Sequence, residues 1–334
     1  MIVFLNGQFV SESDAKISVF DHGFLYGDGV YETLRTYYGC IWQAEVHVKR
    51  LFQSARFIGL KLPWTQKKIV AWLRESIDRN CEVFSGESLH LQSKGCFLEV
   101  SQTHCDEQIT QIHCDEQVAQ VNCGESHNTV KNRLKNGVFS NFPEFRIRLT
   151  VSRGVNHFDF LETKHPTICI APELILHEPS AVYEKGVSAI TFPIQRFLPE
   201  AKSLNYLPSV LARQAMVREG AYEAFFVNPL GFVSEGTISN IFLVIDGTLV
   251  TPKDGMLPGI TRDTVLKVSP FPVFERKILR SEFANADECF LTSTVKGIVP
   301  IVEVDGKKIG HGTVGKMTQS VISAFEEYIK KSHD

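Results

Sequence analysis

The sequence predicts a mixed α/β (α+β) protein with two domains, and three observations support this. The chain has 334 residues, of which 43% are hydrophobic, so it is long enough to bury more than one core. Strand patterns precede helical ones between Met1 and Arg79, and short strands alternate with helices after Phe145. We therefore expect a small N-terminal α/β domain over residues 1–173 and a larger C-terminal domain over 180–334, joined by a short linker.

The N-terminal elements follow from hydrophobic periodicity. "MIVFLNGQFV" is typical of a first strand and turn, and "VYETLRTYYGCIWQ" alternates and turns at Gly39, as a hairpin does. Apolar residues recur at three- and four-residue spacing in "EVHVKRLFQSARFIGL" and "TQKKIVAWLRESID". This spacing predicts two amphipathic helices.

The elements from Phe145 onward are predicted in the same way. Short apolar runs predict strands at "RIRLTV", "TICIA", "EAFFVN", "NIFLVID" and "ECFLTS". Helices are expected over Ser203–Glu219, shortly after Thr261, and over Lys316–Lys330.

Residues 81–143 interrupt this pattern with a repeat. Four nine-residue units place cysteines at Cys96, Cys105, Cys114 and Cys123. Regularly spaced cysteines can bind a metal, but no CxxC pair is present to build a compact tetrahedral site. The pattern favours an acidic tandem-repeat insertion in a surface loop of the N-terminal domain, so we predict no metal site.

Composition excludes several classes of partner. The 35 basic and 38 acidic residues nearly balance, which gives no reason to expect nucleic acid binding. No apolar run approaches the roughly 20 residues that span a bilayer, and the N-terminus does not resemble an export signal. Eight cysteines in a long chain then suggest reduced thiols in a cytoplasmic protein.

Lys202 is the first candidate for chemistry. It precedes the apolar helical run in "LPEAKSLNYLPSVLARQAM". A lysine in this place is either a surface charge whose stem lies along the helix end, or an amine held in a pocket for covalent catalysis.

Two further motifs lie in the N-terminal part. On a helix, His47, Arg50 and Ser54 share one face. Arg50 suits bidentate binding of phosphate or carboxylate, although taken alone the pattern favours a solvated arginine on an amphipathic helix. The glycine-rich turn in "FDHGFLYGDGVYETLR" has Tyr26 and Tyr31 on either side.

The C-terminal part adds an acid and hydroxyl groups. Glu235, in "GFVSEGTISNIF", either caps a turn or pairs with a cationic ring nitrogen. Ile260 and Thr261, in "MLPGITRD", open a predicted helix whose free N–H groups suit a phosphate. Ser293 and Thr294, in "FLTSTVKGIVP", follow a strand and offer hydroxyls for the same purpose.

Together these groups meet the needs of pyridoxal 5'-phosphate, which requires a lysine, an acid for its ring nitrogen, and an arginine with a helix N-terminus for its phosphate. The motifs YGDGVYE, HVKRL, KSLNYL, SEGTISNIF, PGITRD and TST also occur in one order. In this the chain resembles the class IV (fold-type IV) pyridoxal-phosphate enzymes: branched-chain aminotransferases, D-amino acid aminotransferases and aminodeoxychorismate lyases. The resemblance covers essentially the whole chain outside the insertion.

The resemblance implies a role for each site residue. Lys202 would form the Schiff base and move the proton, and Glu235 would pair with the pyridinium nitrogen. Arg50, Ile260, Thr261, Ser293 and Thr294 would bind the phosphate, and Tyr206 would lie beside the phenolic oxygen. Family members are homodimers in which a tyrosine of the first motif enters the partner's site, which points to Tyr26.

The resemblance also orders the possible activities. D-amino acid aminotransferases carry an Arg-x-His pair beyond "SRG", where this chain has Phe158 and Phe160. Tyr26 and Arg148 match residues of the branched-chain enzymes, and Tyr206 adds a third match. We assign Tyr26, Tyr31 and Arg148 to substrate binding. Amino transfer from a branched-chain L-amino acid to 2-oxoglutarate therefore ranks first. The lyase ranks second, the D-enzyme third, and a non-catalytic binding protein on the same scaffold remains an alternative.

Overall fold

The computed structural model describes residues 1–92, 143–157 and 165–332, with side chains through residue 83 in the first range. The repeat cysteines and the Phe158–Phe160 segment lie outside the described residues.

The first sheet is antiparallel and has six strands in the order β2-β1-β6-β5-β3-β4. Its strands are β1 (Ile2–Leu5), β2 (Gln8–Ser11), β3 (Gly29–Tyr37), β4 (Cys40–Ile41), β5 (Phe145–Ser152) and β6 (Thr167–Leu174). Three helices accompany it: α1 (His22–Tyr26), α2 (Ala44–Phe57) and α3 (Gln66–Gln92). Apolar residues of α2 and α3, such as Leu51 and Leu73, pack in one core with Phe4, Leu34 and Ile147 of the sheet.

The second sheet is mixed and has ten strands, nine of them in the order β12-β11-β10-β14-β15-β7-β8-β9-β13, with β16 paired to β15. These strands are β7 (Val187–Phe192), β8 (Glu223–Val227), β9 (Phe232–Gly236), β10 (Asn240–Ile245), β11 (Thr248–Thr251), β12 (Val273–Glu275), β13 (Ile278–Leu279), β14 (Glu288–Ser293), β15 (Gly297–Val304) and β16 (Lys307–Lys308). The accompanying helices are α4 (Ser180–Glu184), α5 (Leu207–Arg218), α6 (Ile260–Val268) and α7 (Lys316–Lys331).

Helices cover the second sheet in two places. Val265 of α6 and Phe325 of α7 pack with Phe242 and Phe290, whose rings stack at 4.9 Å. Ala212 and Met216 of α5 pack against Phe226 of β8. The first sheet takes its strands from residues before 175 and the second from residues after 179.

Most predicted elements are confirmed, including the hairpin at Gly39 and the helices over α2, α3 and α7. One prediction was wrong: the helix expected to begin at Ser203 begins at Leu207. The reason is a backbone pairing, because Ser203 forms a bridge with Val30 and the Leu204 N–H donates to the Gly29 carbonyl at 2.9 Å.

The predicted insertion begins inside α3, which continues through residues 81–92, and residues 93–142 lie outside the described part. Within the described ranges, none of the helices has the length and apolar character needed to cross a membrane.

Candidate active site

Lys202 lies in the irregular segment before α5, and its backbone is bonded to helix α2 and strand β3. Its N–H donates to the Ser54 hydroxyl at 3.0 Å, and its carbonyl accepts from the Tyr31 N–H at 2.9 Å. Its side chain is half-buried, with Nζ 4.4 Å from the centre of the Tyr31 ring. Burial, with the charge of Arg50, lowers the pKa of Lys202 to about 8. The amine therefore loses its proton far more readily than a surface lysine does.

The ring of Tyr31 is next to three predicted site residues, Lys202, Arg148 and Tyr206. The Arg148 guanidinium carbon lies 3.4 Å from the ring centre, a cation–π arrangement like that of Lys202. The Tyr206 ring stands edge-on at 5.8 Å and its side chain is hydrogen-bonded to that of Tyr31. Burial raises the pKa of both tyrosines, so both keep their hydroxyl protons at neutral pH.

Arg50 is held by a buried carboxylate that the sequence analysis did not single out. Its Nε and Nη2 bind the two oxygens of Glu32 at 2.8 and 2.7 Å, and His47 Nδ1 lies 2.8 Å from the same carboxylate. Burial alone would raise the pKa of Glu32, but Arg50, with help from His47, lowers it to about 2. The predicted shared face of α2 is confirmed, because His47, Arg50 and Ser54 are all buried.

The N-terminus of α6 lies next to Arg50, whose Nη1 donates to the Pro258 carbonyl at 2.8 Å. The helix begins at Ile260 as predicted, and Gly259 at its N-cap provides no capping side chain. A Cβ on Gly259 would lie 1.9 Å from the Asn240 side chain, so this approach requires glycine. Thr261 is buried, and within the described residues its hydroxyl has no hydrogen-bond partner. Uncapped amides and a buried hydroxyl are suited to an anion.

Glu235 is the penultimate residue of strand β9 and is bonded through both carboxylate oxygens. Oε1 accepts from Arg196 Nε at 2.6 Å, and Oε2 accepts from the Leu257 N–H at 2.9 Å. Burial raises the pKa of Glu235, and the nearby charges of Arg196 and Lys202 oppose that shift. Arg196 also donates to the Pro199 carbonyl at 2.6 Å, just before Lys202.

Arg196 was missed in the sequence analysis. It stands in an irregular segment, and no periodicity links it to Glu235, which follows much later in the chain. The only signal is an arginine among apolar residues, in "FPIQRFLPEAK".

Ser293 and Thr294 mark the end of β14 and the start of the turn to β15. Ser293 is buried and its hydroxyl accepts from the Lys296 N–H at 3.3 Å, whereas Thr294 is half-buried. Arg35 of the first sheet donates to the Val295 carbonyl in this turn.

Tyr26 is more open than the other predicted residues. It ends α1, is 37% exposed, and stands edge-on to the His22 ring at 5.1 Å. Phe158 and Phe160, which align with the Arg-x-His pair of the D-amino acid aminotransferases, lie outside the described ranges. Among the residues that are described, no group of three His, Cys, Asp or Glu side chains is arranged to hold a metal ion.

Comparisons with known proteins identify the family. The model of the family described as "Amino-transferase class IV" matches residues 117–304. A Methanocaldococcus jannaschii protein named "Putative branched-chain-amino-acid aminotransferase" is 33% identical, covering 98% of this chain and 96% of the relative. A Bacillus licheniformis "D-alanine aminotransferase" is 28% identical, covering 98% and 97%.

Solved structures confirm the predicted fold class. A branched-chain aminotransferase of Thermoproteus uzoniensis with norvaline is 25% identical, with a TM-score of 0.72 over 99% of this chain and 95% of that one. The Escherichia coli branched-chain amino acid aminotransferase has a TM-score of 0.72 at 23% identity, covering 98% and 93%. A further branched-chain amino acid aminotransferase, solved with pyridoxamine 5'-phosphate, has a TM-score of 0.73 at 24% identity, covering 99% and 94%. The chain therefore belongs to the class IV aminotransferases and is a pyridoxal-phosphate-dependent transaminase.

Proposed function

We propose that this transaminase moves the amino group of a branched-chain L-amino acid to 2-oxoglutarate. The observation that carries the proposal is the position of Arg148, whose guanidinium lies on the same tyrosine ring as the Lys202 amine. A substrate whose α-carbon is beside Lys202 thus has a carboxylate partner within reach. The names of the 33% identical relative and of the Thermoproteus uzoniensis structure support this substrate class.

The residues of the site fit pyridoxal 5'-phosphate. The buried Thr261 hydroxyl and the uncapped start of α6 match its phosphate. Arg50 uses three of its five N–H donors on Glu32 and Pro258, so two remain for the same anion. Ser293 and Thr294 are proposed to complete the phosphate site together with the Ile260 amide.

Glu235 and Tyr206 are assigned to the ring of the cofactor. Glu235 is a buried carboxylate flanked by Arg196, and that charge favours the ionised form which a pyridinium nitrogen requires. Tyr206 is proposed to donate its hydroxyl proton towards the phenolic oxygen, since its raised pKa keeps that proton in place.

Bound pyridoxal phosphate supplies a carbonyl that takes up the amino group and a ring that accepts electrons from the α-carbon. Lys202 provides the amine for attachment and then moves the proton between the α-carbon and the cofactor. With a pKa of about 8, about a tenth of the amine is neutral at pH 7 and able to accept that proton. Tyr31 keeps Lys202 and Arg148 on one ring, so proton transfer and carboxylate binding occur at adjacent points.

We further propose a homodimer in which Tyr26 reaches the partner's site. Exposed apolar residues support this: Ile17, Val19, Phe20 and Phe24 around α1, and Leu207, Val210, Leu211 and Val217 on α5. Both groups border Leu204, because a Cβ on Gly27 would lie 3.6 Å from the Leu204 carbonyl oxygen. Exposed apolar residues grouped in this way are typical of a subunit interface.

A D-amino acid transaminase is the second candidate, because several relatives at 28% identity carry the name D-alanine aminotransferase. Single-turnover half-reactions with the cofactor-loaded enzyme distinguish the candidates. Bleaching of the visible absorbance by L-leucine, L-isoleucine and L-valine, with recovery on addition of 2-oxoglutarate, supports the proposal. Bleaching by D-alanine alone selects the D-enzyme. An enzyme that ignores all four amino acids but releases pyruvate from aminodeoxychorismate overturns both assignments.

A further inference from the structure

A second buried carboxylate lies behind the turn that follows Glu235. Glu223 begins strand β8 and is 3% exposed. Its Oε1 accepts from the Ala224 N–H at 2.9 Å, the Thr237 N–H at 3.1 Å and the Thr237 hydroxyl at 2.6 Å. Its Oε2 accepts from the Ser239 hydroxyl at 2.8 Å. Three of these four hydrogen bonds go to the turn between β9 and β10.

Within the described ranges, the hydrogen-bond partners of this carboxyl group are uncharged. Among the ion pairs of those ranges none involves Glu223, and its oxygens are bound by backbone amides and hydroxyl groups. A buried carboxyl group must satisfy its oxygens with hydrogen bonds, and four donors do so here. These hydrogen bonds hold Thr237 and Ser239 in place as well as stabilising the Glu223 carboxyl group.

The turn fits tightly against the carboxylate. The Gly236 N–H donates to the Ser239 carbonyl at 2.7 Å, which closes the turn. A Cβ on Gly236 would lie 2.2 Å from the Ser239 hydroxyl and 3.0 Å from the Glu223 carboxylate. Residue 236 must therefore be glycine, and the backbone next to Glu235 has little room to move.

The same turn reaches the segment that carries Lys202. The Ser209 hydroxyl, in the first turn of α5, donates to the Thr237 carbonyl at 3.0 Å. Helix α5 follows directly after Tyr206. The turn consequently links the strand that carries Glu235 with the segment that follows Lys202 and Tyr206.

We propose that Glu223 is a positioning residue of the active site, holding the Gly236–Ser239 turn so that Glu235 and the start of α5 keep their relative placement. The inference rests on the proposed role of Glu235. It assigns Glu223 no contact with substrate or cofactor.

Glu288 provides a matched control. Its carboxylate also accepts from backbone and hydroxyl donors, namely the Met317 N–H at 3.1 Å, the Thr318 N–H at 2.7 Å and the Thr318 hydroxyl at 2.6 Å. These bonds hold the start of α7 and no residue assigned to the site. Glu223→Gln and Glu288→Gln thus make the same chemical change in the same kind of network.

The experiment compares the two variants with the wild-type holoenzyme. We expect both to lower the Tm. Only Glu223→Gln should accelerate hydrogen exchange at residues 236–240, weaken pyridoxal phosphate binding about 10-fold, and reduce kcat/KM about 10- to 100-fold, as loss of a supporting partner typically does. Cofactor affinity and exchange equal in the two variants would overturn the proposal.

If Glu223→Gln does not fold, Ser239→Ala is the alternative variant, because it removes one of the four hydrogen bonds to Glu223. It should give the same changes in exchange and cofactor affinity at smaller size, and unchanged values would overturn the inference. A wild-type enzyme that is inactive on every amino acid would contradict the proposed function alone, because exchange and cofactor affinity still test Glu223.

Discussion

Arg196 and Glu235 form a buried ion pair, with Nε and Oε1 2.6 Å apart, and the same guanidinium donates to the Pro199 carbonyl. One arginine thus connects the proposed ring-nitrogen acid with the segment that leads to Lys202. Burial raises the pKa of Glu235, and the positive charge of Arg196 offsets part of that rise.

Arg196→Met is expected to shift the pH dependence of turnover. Without the guanidinium the pKa of Glu235 rises further, so the carboxyl stays neutral to a higher pH and no longer favours a protonated ring nitrogen. The acidic limb of the kcat profile should move to higher pH, and Arg196→Lys should restore part of the shift. Arg280→Met, which breaks the largely exposed pair with Asp305, is the control. Equal profiles for Arg196→Met and wild type would contradict the assignment.

Lys202→Met is expected to abolish turnover yet stabilise the cofactor-free protein. The folded-state pKa of about 8 lies below the ordinary 10.5, so the charged amine destabilises the fold. This penalty is complete below about pH 8 and disappears as the pH approaches 10.5. The Tm of the variant should exceed that of wild type at pH 7, and the difference should shrink at pH 9.5. Lys185→Met, at an exposed site, should show neither effect; a lower Tm for Lys202→Met would refute the argument.

Arg148→Ala tests carboxylate recognition. A hydrogen bond to a charged group contributes about 1.5–3 kcal/mol, so we expect the KM for 2-oxoglutarate to rise about 10- to 100-fold. Cofactor affinity should change little, because Arg148 is not among the residues assigned to the phosphate. Arg146→Ala is the control on the same strand, since Arg146 is exposed and paired with Glu173. If cofactor and substrate binding weaken together, Arg148 supports the fold instead.

Glu32→Gln should weaken cofactor binding by releasing Arg50. The amide keeps one acceptor oxygen but turns N–H donors towards Arg50 and His47, so we expect about a 10-fold loss of affinity. The folded-state pKa of about 2 lies below the usual 4.5. The ion pair therefore stabilises the protein fully above pH 4.5 and progressively less as the pH falls towards 2. Glu75→Gln, in the exposed pair with Arg79, is the control, and the idea fails if both variants bind the cofactor as wild type does.

Sequence reasoning identified the residues whose type and local pattern indicate chemistry. Lys202, Arg50 and the start of α6 stand in short motifs, and helical periodicity alone placed His47, Arg50 and Ser54 on one buried face. The partners of these groups could not be found in this way. Glu32, Arg196 and Glu223 act through contacts between distant parts of the chain, and such contacts leave no periodic signal.

The misplaced start of α5 has the same cause. Ser203 and Leu204 extend an apolar helical pattern, yet their backbone groups bond to the beginning of β3. Backbone pairing of this irregular segment with β3 of the first sheet outweighed local helix propensity at that point.

The backbone of Lys202 is bonded to Ser54 and Tyr31, both from the N-terminal part of the chain, although Lys202 itself belongs to the part that builds the second sheet. The Lys202 amine is therefore placed in the active site only after the N-terminal and C-terminal parts of the chain have packed together. In refolding from denaturant, helix and strand signals should recover before the protein can capture pyridoxal phosphate. The visible absorbance of bound pyridoxal phosphate then reports the rate of the last folding step.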